Sequence, residues 1–201
     1  MDWLKHIISE NFAAITGLLG VYIGAWLTNR QNRTQKKLDF YEKQLRELYS
    51  PLAGIRKEIG ILSEFRVEGG KASQEWWQKV CDVAEKIEDP DKANEYCDKE
   101  GEKIPTLIEY DNNQLTEKII PSYRKMKDTF ENNYWLAEEE TKKYFPTLIK
   151  FVETWERFLS KSHPIEALKK YSVKEGELLP FYEHIDGINK LLKEKLKNSK
   201  E

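Results

Sequence analysis

The stretch Asn11 to Arg30 reads NFAAITGLLGVYIGAWLTNR, and its reading decides the fold because it stands apart from the rest of the chain. The 201 residues are 34% charged, yet the 19 positions from Asn11 to Asn29 carry no charge. At a helical rise of about 1.5 Å per residue the run covers roughly 28 Å, close to the hydrocarbon thickness of a bilayer. Trp3 lies at one margin, and Tyr22 and Trp26 lie near the other, where interfacial aromatic anchors sit. A signal peptide would place its basic residues first and a small-residue cleavage site last. Here Asp2, Lys5 and Glu10 lead, and the basic cluster Arg30, Arg33, Lys36 and Lys37 follows the run before any acidic residue. The pattern predicts a single transmembrane helix over residues 1–29, with the N-terminus outside a bacterial inner membrane and residues 30–201 forming a cytoplasmic helical bundle. A buried helix of a soluble domain is the competing reading, since Asn11, Thr16 and three glycines dilute the hydrophobicity.

The small residues of the run carry a second message. Ala13, Gly17, Gly20 and Gly24 are spaced four, three and four apart, which places them on one helix face. In lipid, helices associate by close packing, so a seam of small residues predicts self-association, as a closed ring or a dimer.

Beyond the run, Leu38, Tyr41, Leu45, Leu48, Leu52, Ile55, Ile59 and Leu62 alternate steps of three and four without a break. That periodicity predicts one long helix to about Phe65, bent near Ser50 by Pro51. From Arg30 to Lys57 eight residues are basic and three acidic, a net +5 that suits anionic lipid directly beneath a bilayer, or RNA. Gly69-Gly70 predicts a break, and Ser73 to Ile87 a second helix. The polar segment Glu88 to Lys103 reads as a loop with a short helix after Pro90. A third helix is expected from a cap at Asp111 or Asn112 through Phe130, with Pro121 kinking it. A fourth is expected over Glu138 to Leu159, and a fifth over Glu177 to Leu196. No strand-like alternation of useful length occurs. The expectation is an all-α chain: a membrane helix feeding a four- to five-helix bundle.

The composition narrows the chemistry. A net charge of −2 gives no overall basic excess, and 39% apolar content is too high for disorder. Cys81 and Cys97 have no metal-ligand spacing and imply no disulfide framework, so they read as two reduced thiols. There is no phosphate-binding glycine loop and no HExxH, and His6, His163 and His184 are too scattered to form a metal cage. No cofactor or metal is therefore expected.

One constellation remains, RFLSKSH from Arg157 to His163. It is similar to the R-x4-6-H motif of HEPN domains, small helical bundles that include metal-independent ribonucleases. An imidazole can move protons at a ribose hydroxyl, and a guanidinium can hold the scissile phosphate. The same residues also read as an ordinary helix C-terminus, and Phe158 stands where the HEPN motif is usually polar.

The single N-terminal span, the segment FYEKQLRELYSPLAGIRKEI after it and the divergent R-x5-H together resemble the small membrane accessory proteins of type VI-B CRISPR systems. That resemblance implies a HEPN-like bundle and a multimeric membrane pore that enhances antiphage defence by an RNA-guided, RNA-targeting effector nuclease. It implicates Arg157 and His163, and the span Asn11 to Thr28 as the pore element. The alternatives are a membrane-tethered HEPN ribonuclease and a membrane-anchored helical scaffold. The expected partners are membrane lipid, further copies of the chain, and the effector nuclease or RNA.

Overall fold

The periodic face from Leu38 to Leu62 does fold as one helical surface, and from Tyr41 onward it lines the core. The computed structural model describes the backbone of residues 2–199 and the side-chain surroundings of residues 20–199. The described chain is helical and contains no strand. Helix α1 (Asp2–Gln44) passes through a π-turn (Leu45–Tyr49) directly into α2 (Ser50–Ala84). The division expected after residue 29 therefore falls inside an unbroken helix. Among the described residues no helix is long and apolar enough to cross a membrane. Residues 11–19 of the uncharged run, with Ala13 and Gly17 of the seam, lie outside the residues whose surroundings are described.

Two prolines shape the helical rods in the same way. Pro51 lacks a donor, and its ring crowds the carbonyl of the preceding turn. The chain meets this with the wider π-turn just ahead of it, in which the Ser50 N–H bonds the Leu45 carbonyl. The pattern recurs at Pro121. There α4 (Ile104–Asn113) runs through a second π-turn (Gln114–Ile119) into α5 (Ile120–Asn132), and the Ile120 N–H bonds the Leu115 carbonyl. The helix expected from Asp111 thus begins seven residues earlier, with Pro105 in its first turn.

Gly69-Gly70 does not break the chain, contrary to the sequence expectation. Each glycine costs a helix about 1 kcal/mol relative to alanine, too little to stop a rod that packs against other helices on both sides of the pair. Beyond it α2 lies against α3 (Pro90–Gly101), whose start is capped by the Asp89 carboxylate accepting from the Asp91 N–H at 3.1 Å. The helix expected over 138–159 is divided into α6 (Glu139–Lys142) and α7 (Phe145–Leu159), with Pro146 in the first turn of α7. A short α8 (Ile165–Leu168) precedes α9 (Leu179–Asn198), which a 3-10 turn (Glu175–Leu178) leads into.

The core is a four-helix arrangement of the α1–α2 rod, α5, α7 and α9. Leu48, Leu52, Met126, Phe130, Leu148, Phe181 and Ile185 are fully buried, each worth about 1.5–3 kcal/mol of transfer free energy. Phe130 stacks on Phe181 with centroids 5.8 Å apart. A polar cluster pins the first π-turn to its neighbours. The Tyr49 hydroxyl lies 2.9 Å from that of Thr141, which lies 2.8 Å from the His184 Nε2, and the Glu138 N–H donates to the Tyr49 oxygen at 3.1 Å. From α9 the Asn189 Nδ2 donates to the Tyr49 carbonyl at 3.2 Å. The far half of α2 forms an arm with α3 and α4, and Val80 is its one buried apolar residue among those described.

Candidate functional sites: the bare stem and the Arg157–His163 turn

The first site is the stretch of α1 that leaves the bundle. Every described residue from Gly20 to Lys37 is exposed, so none of the described residues packs on this stem. Val21 and Tyr22 are 71% exposed, and Ile23 and Trp26 53%. At about 100° per residue, Val21, Tyr22, Ile23, Trp26 and Leu27 sweep an arc of roughly 240° around the helix. Gly20 and Gly24 fall in the remaining gap, and a Cβ at either would meet nothing within 4 Å. The stem thus has a broad face of large apolar groups and a narrow groove of bare backbone. Below it the Arg30 guanidinium lies 5.8 Å from the Trp26 ring centroid, one turn away. Arg33, Lys36 and Lys37 follow, all exposed.

The second site is the turn from Arg157 to His163, and its geometry is that of a helix end. Ser162 N–H bonds the Arg157 carbonyl at 3.2 Å and Lys161 N–H bonds the Phe158 carbonyl at 3.2 Å, the paired bonds of a Schellman motif. Lys161 takes the left-handed conformation that the motif requires, with φ 51°, a place usually filled by glycine. Arg157 therefore sits in the last turn of α7, and His163 lies just outside the helix. The Arg157 Nε donates to the Glu153 carboxylate at 2.7 Å. This bond, with a smaller contribution from the Tyr171 hydroxyl, raises the guanidinium further above its ordinary value. His163 is exposed, and its Nδ1 lies 3.1 Å from the Ser162 hydroxyl. Among the described residues no hydrogen bond or ion pair joins Arg157 to His163.

Phe158 has a structural reason to be apolar. Its ring meets the edge of Trp155 at 5.5 Å, on the wall of a groove of about 390 Å³ that Ile165, Leu168 and Val173 complete. A wider groove, of about 800 Å³, lies on the arm between Trp76, Lys103 and Leu107. Cys81 and Cys97 are free and half-buried, and among the described residues no group of three His, Cys, Asp or Glu side chains could hold a metal ion.

Sequence reading missed the network that links Tyr123 to Glu175 and Tyr182. Tyrosines at helical spacing look like core whether or not their hydroxyls are used, so no sequence signal marks it. It also missed the approach of the C-terminal lysines to α1, which only tertiary packing creates.

Fold and sites together define an all-α protein, a four-helix core with a side arm, carried on a bare apolar stem. No known protein family, curated protein or solved structure matches the chain at significant similarity.

Proposed function

We propose that this chain is a membrane-anchored, self-associating helical protein of the pore-forming defence-accessory kind that its sequence resembles. The observation that carries the reading is the stem. Five large apolar side chains stand around most of its circumference, with Gly20 and Gly24 in the gap. An isolated helix in water gains little from its own backbone, and uncovered apolar groups on it are unfavourable. Lipid covers such a broad face, and a second helix fits the glycine gap at close approach. With the uncharged residues 11–19 ahead of it, the stem reaches the length of a span, and the basic residues from Arg30 onward suit a bundle held in the cytoplasm beneath a bacterial inner membrane. In that setting the assembled stems form the pore, and the partner is the RNA-guided effector nuclease whose antiphage action the pore enhances.

The ribonuclease reading takes second place. Arg157 is already committed to Glu153, so a phosphate would have to displace a carboxylate, and the spacing of the motif follows from the helix terminus.

The test is Gly20→Leu combined with Gly24→Leu in the full chain. Leucine leaves insertion intact while blocking close approach. The double variant should resist carbonate extraction like the parent, run as smaller species in detergent, and lose dye release from reconstituted vesicles. An unchanged oligomer size and unchanged release would end the pore reading, and extraction of the parent itself by carbonate would end the membrane reading.

A further inference from the structure

Helix α9 runs antiparallel to the α1–α2 rod, and three pairings fix its course. Asp186 pairs with Arg56, Asn189 bonds the Tyr49 carbonyl, and the Lys195 Nζ lies 4.8 Å from the Tyr41 ring centroid. The Lys37 Nζ lies 5.7 Å from the same ring, so cations from the two ends of the sequence converge on Tyr41. Continued to Asn198, α9 ends beside about residue 38.

We propose that the C-terminal half of α9 and the base of the stem form one basic collar that docks on an anionic lipid surface; this rests on the membrane reading above. Residues 30–39 hold four basic side chains and one acidic, and residues 190–198 hold four and one. Together they carry net +6, which leaves net −8 on the rest of a chain whose total is −2. The two segments therefore form a locally net-positive zone where the stem leaves the bundle, on a chain whose remainder is net negative. Arg30, Arg33, Lys36, Lys37, Lys190, Lys193 and Lys197 are exposed. Among the described residues no ion pair engages any of them.

Distance decides whether α9 can take part. Residue 38 is nine positions past Asn29, roughly 13 Å along the helix from the edge of the hydrocarbon. The headgroup layer occupies about 6 Å of that, so the end of α9 lies some 7 Å from the lipid surface, within a Debye length of about 8 Å at physiological salt. The lysines of its last turn, Lys195 and Lys197, therefore act on the same surface potential as the stem's own cations, while Lys193 and Lys190 stand roughly 7 and 12 Å farther back and add less. RNA would need the same charges, but the stem that places the collar beside a bilayer favours lipid.

The experiment labels Ser199→Cys with a fluorophore in the full chain, with Cys81→Ser and Cys97→Ser in the background, and reconstitutes it in vesicles bearing a quencher on the lipid headgroup. In phosphatidylglycerol-containing vesicles the label should be quenched at least about twofold more than in phosphatidylcholine vesicles. The excess should vanish in about 0.5 M salt and in the Lys190→Gln, Lys193→Gln, Lys197→Gln triple variant. Equal quenching in both lipids, or an excess that the triple variant retains, overturns the collar, as does displacement of the label from anionic vesicles by equimolar single-stranded RNA. Carbonate extraction of the same samples reads insertion separately, so loss of the anchor and loss of the collar give different results.

Discussion

Tyr123 on α5 and Glu175 ahead of α9, 52 residues apart in sequence, meet in a hydrogen bond of 2.6 Å from hydroxyl to carboxylate. The same Tyr123 oxygen accepts from the Tyr182 hydroxyl at 3.2 Å, and the Arg56 guanidinium lies 5.3 Å from the Tyr182 ring centroid. The network ties the entrance of α9 to α5 and to the long rod. Tyr123→Phe removes the donor to Glu175 and the acceptor for Tyr182 while preserving the ring that packs on Phe151 at 4.6 Å. It should cost about 1–2 kcal/mol, read as a fall in Tm of about 2–8 °C. An unchanged Tm would show that water replaces both bonds at no cost.

The same hydroxyls set an alkaline limit. Burial pushes Tyr182 up to about 12 and raises Tyr49 and Tyr123 as well, from an ordinary value of 10.0. The folded protein therefore holds these protons at a pH where the unfolded chain releases them. The contribution of Tyr182 is complete below pH 10 and is lost as pH rises from 10 toward 12, at about 1.4 kcal/mol per unit, and Tyr49 and Tyr123 act in the same direction. Denaturant midpoints should be flat from pH 7 to 9 and fall steeply above 10, and Tyr182→Phe should shallow that fall.

Lys161 holds a left-handed conformation that costs a residue with a side chain about 1–2 kcal/mol. Lys161→Gly should raise stability by about 1 kcal/mol with the helix end unchanged, which thermal unfolding would show as a gain of about 2–4 °C. Destabilisation instead would mean that the lysine side chain makes a contribution larger than its backbone strain.

The diglycine in α2 predicts a local effect. A Cβ at Gly69 or Gly70 meets nothing within 4 Å, so Gly69→Ala with Gly70→Ala adds helix propensity without a clash. Amide exchange across the arm should slow by about tenfold or more, given about 1 kcal/mol per site, while exchange in α5 and α9 stays the same. Unchanged exchange in the arm would show that it opens elsewhere.

For the Arg157–His163 turn, purified protein should show no metal-independent RNA cleavage that His163→Ala removes. Arg157→Ala should leave the melting temperature essentially unchanged, as expected of an exposed i,i+4 ion pair. Cleavage in chelator that depends on His163 would restore the ribonuclease reading.

The legible part of this molecule was its long-range periodicity. Seven of the eight positions from Leu38 to Leu62 turn to the core, where Leu48, Leu52, Ile55 and Ile59 are buried and Tyr41, Leu45 and Leu62 are packed against them partly buried. A three–four repeat of that length keeps one stripe of a helix apolar over seven turns, and neither a strand nor a loop produces it. What the sequence concealed was how the chain treats its punctuation. Pro51 and Pro121 are absorbed by π-turns, and Gly69-Gly70 is carried through, because packing of neighbouring helices outweighs a local penalty of about 1–3 kcal/mol. At the candidate site the residue types were legible but their relation was not. Arg157 and His163 share a spacing that a helix C-terminus produces by itself, and only the Glu153 bond shows where the guanidinium is engaged.

The unbroken course from α1 into α2 makes the stem a lever. From Asn29 to Ala84 the rod extends roughly 80 Å, so a tilt of about 10° at the foot of the stem would swing the arm's tip through some 14 Å. Between them lie the π-turn at Leu45–Tyr49, gripped by the core, and the diglycine at 69–70, with open space around both glycines. Because the rod is helical through both, a tilt of the stem would carry on to the groove between Trp76 and Leu107, and any slack at the diglycine would reduce that displacement. The length of the rod thus sets how far the arm's tip would travel for a given tilt of the stem.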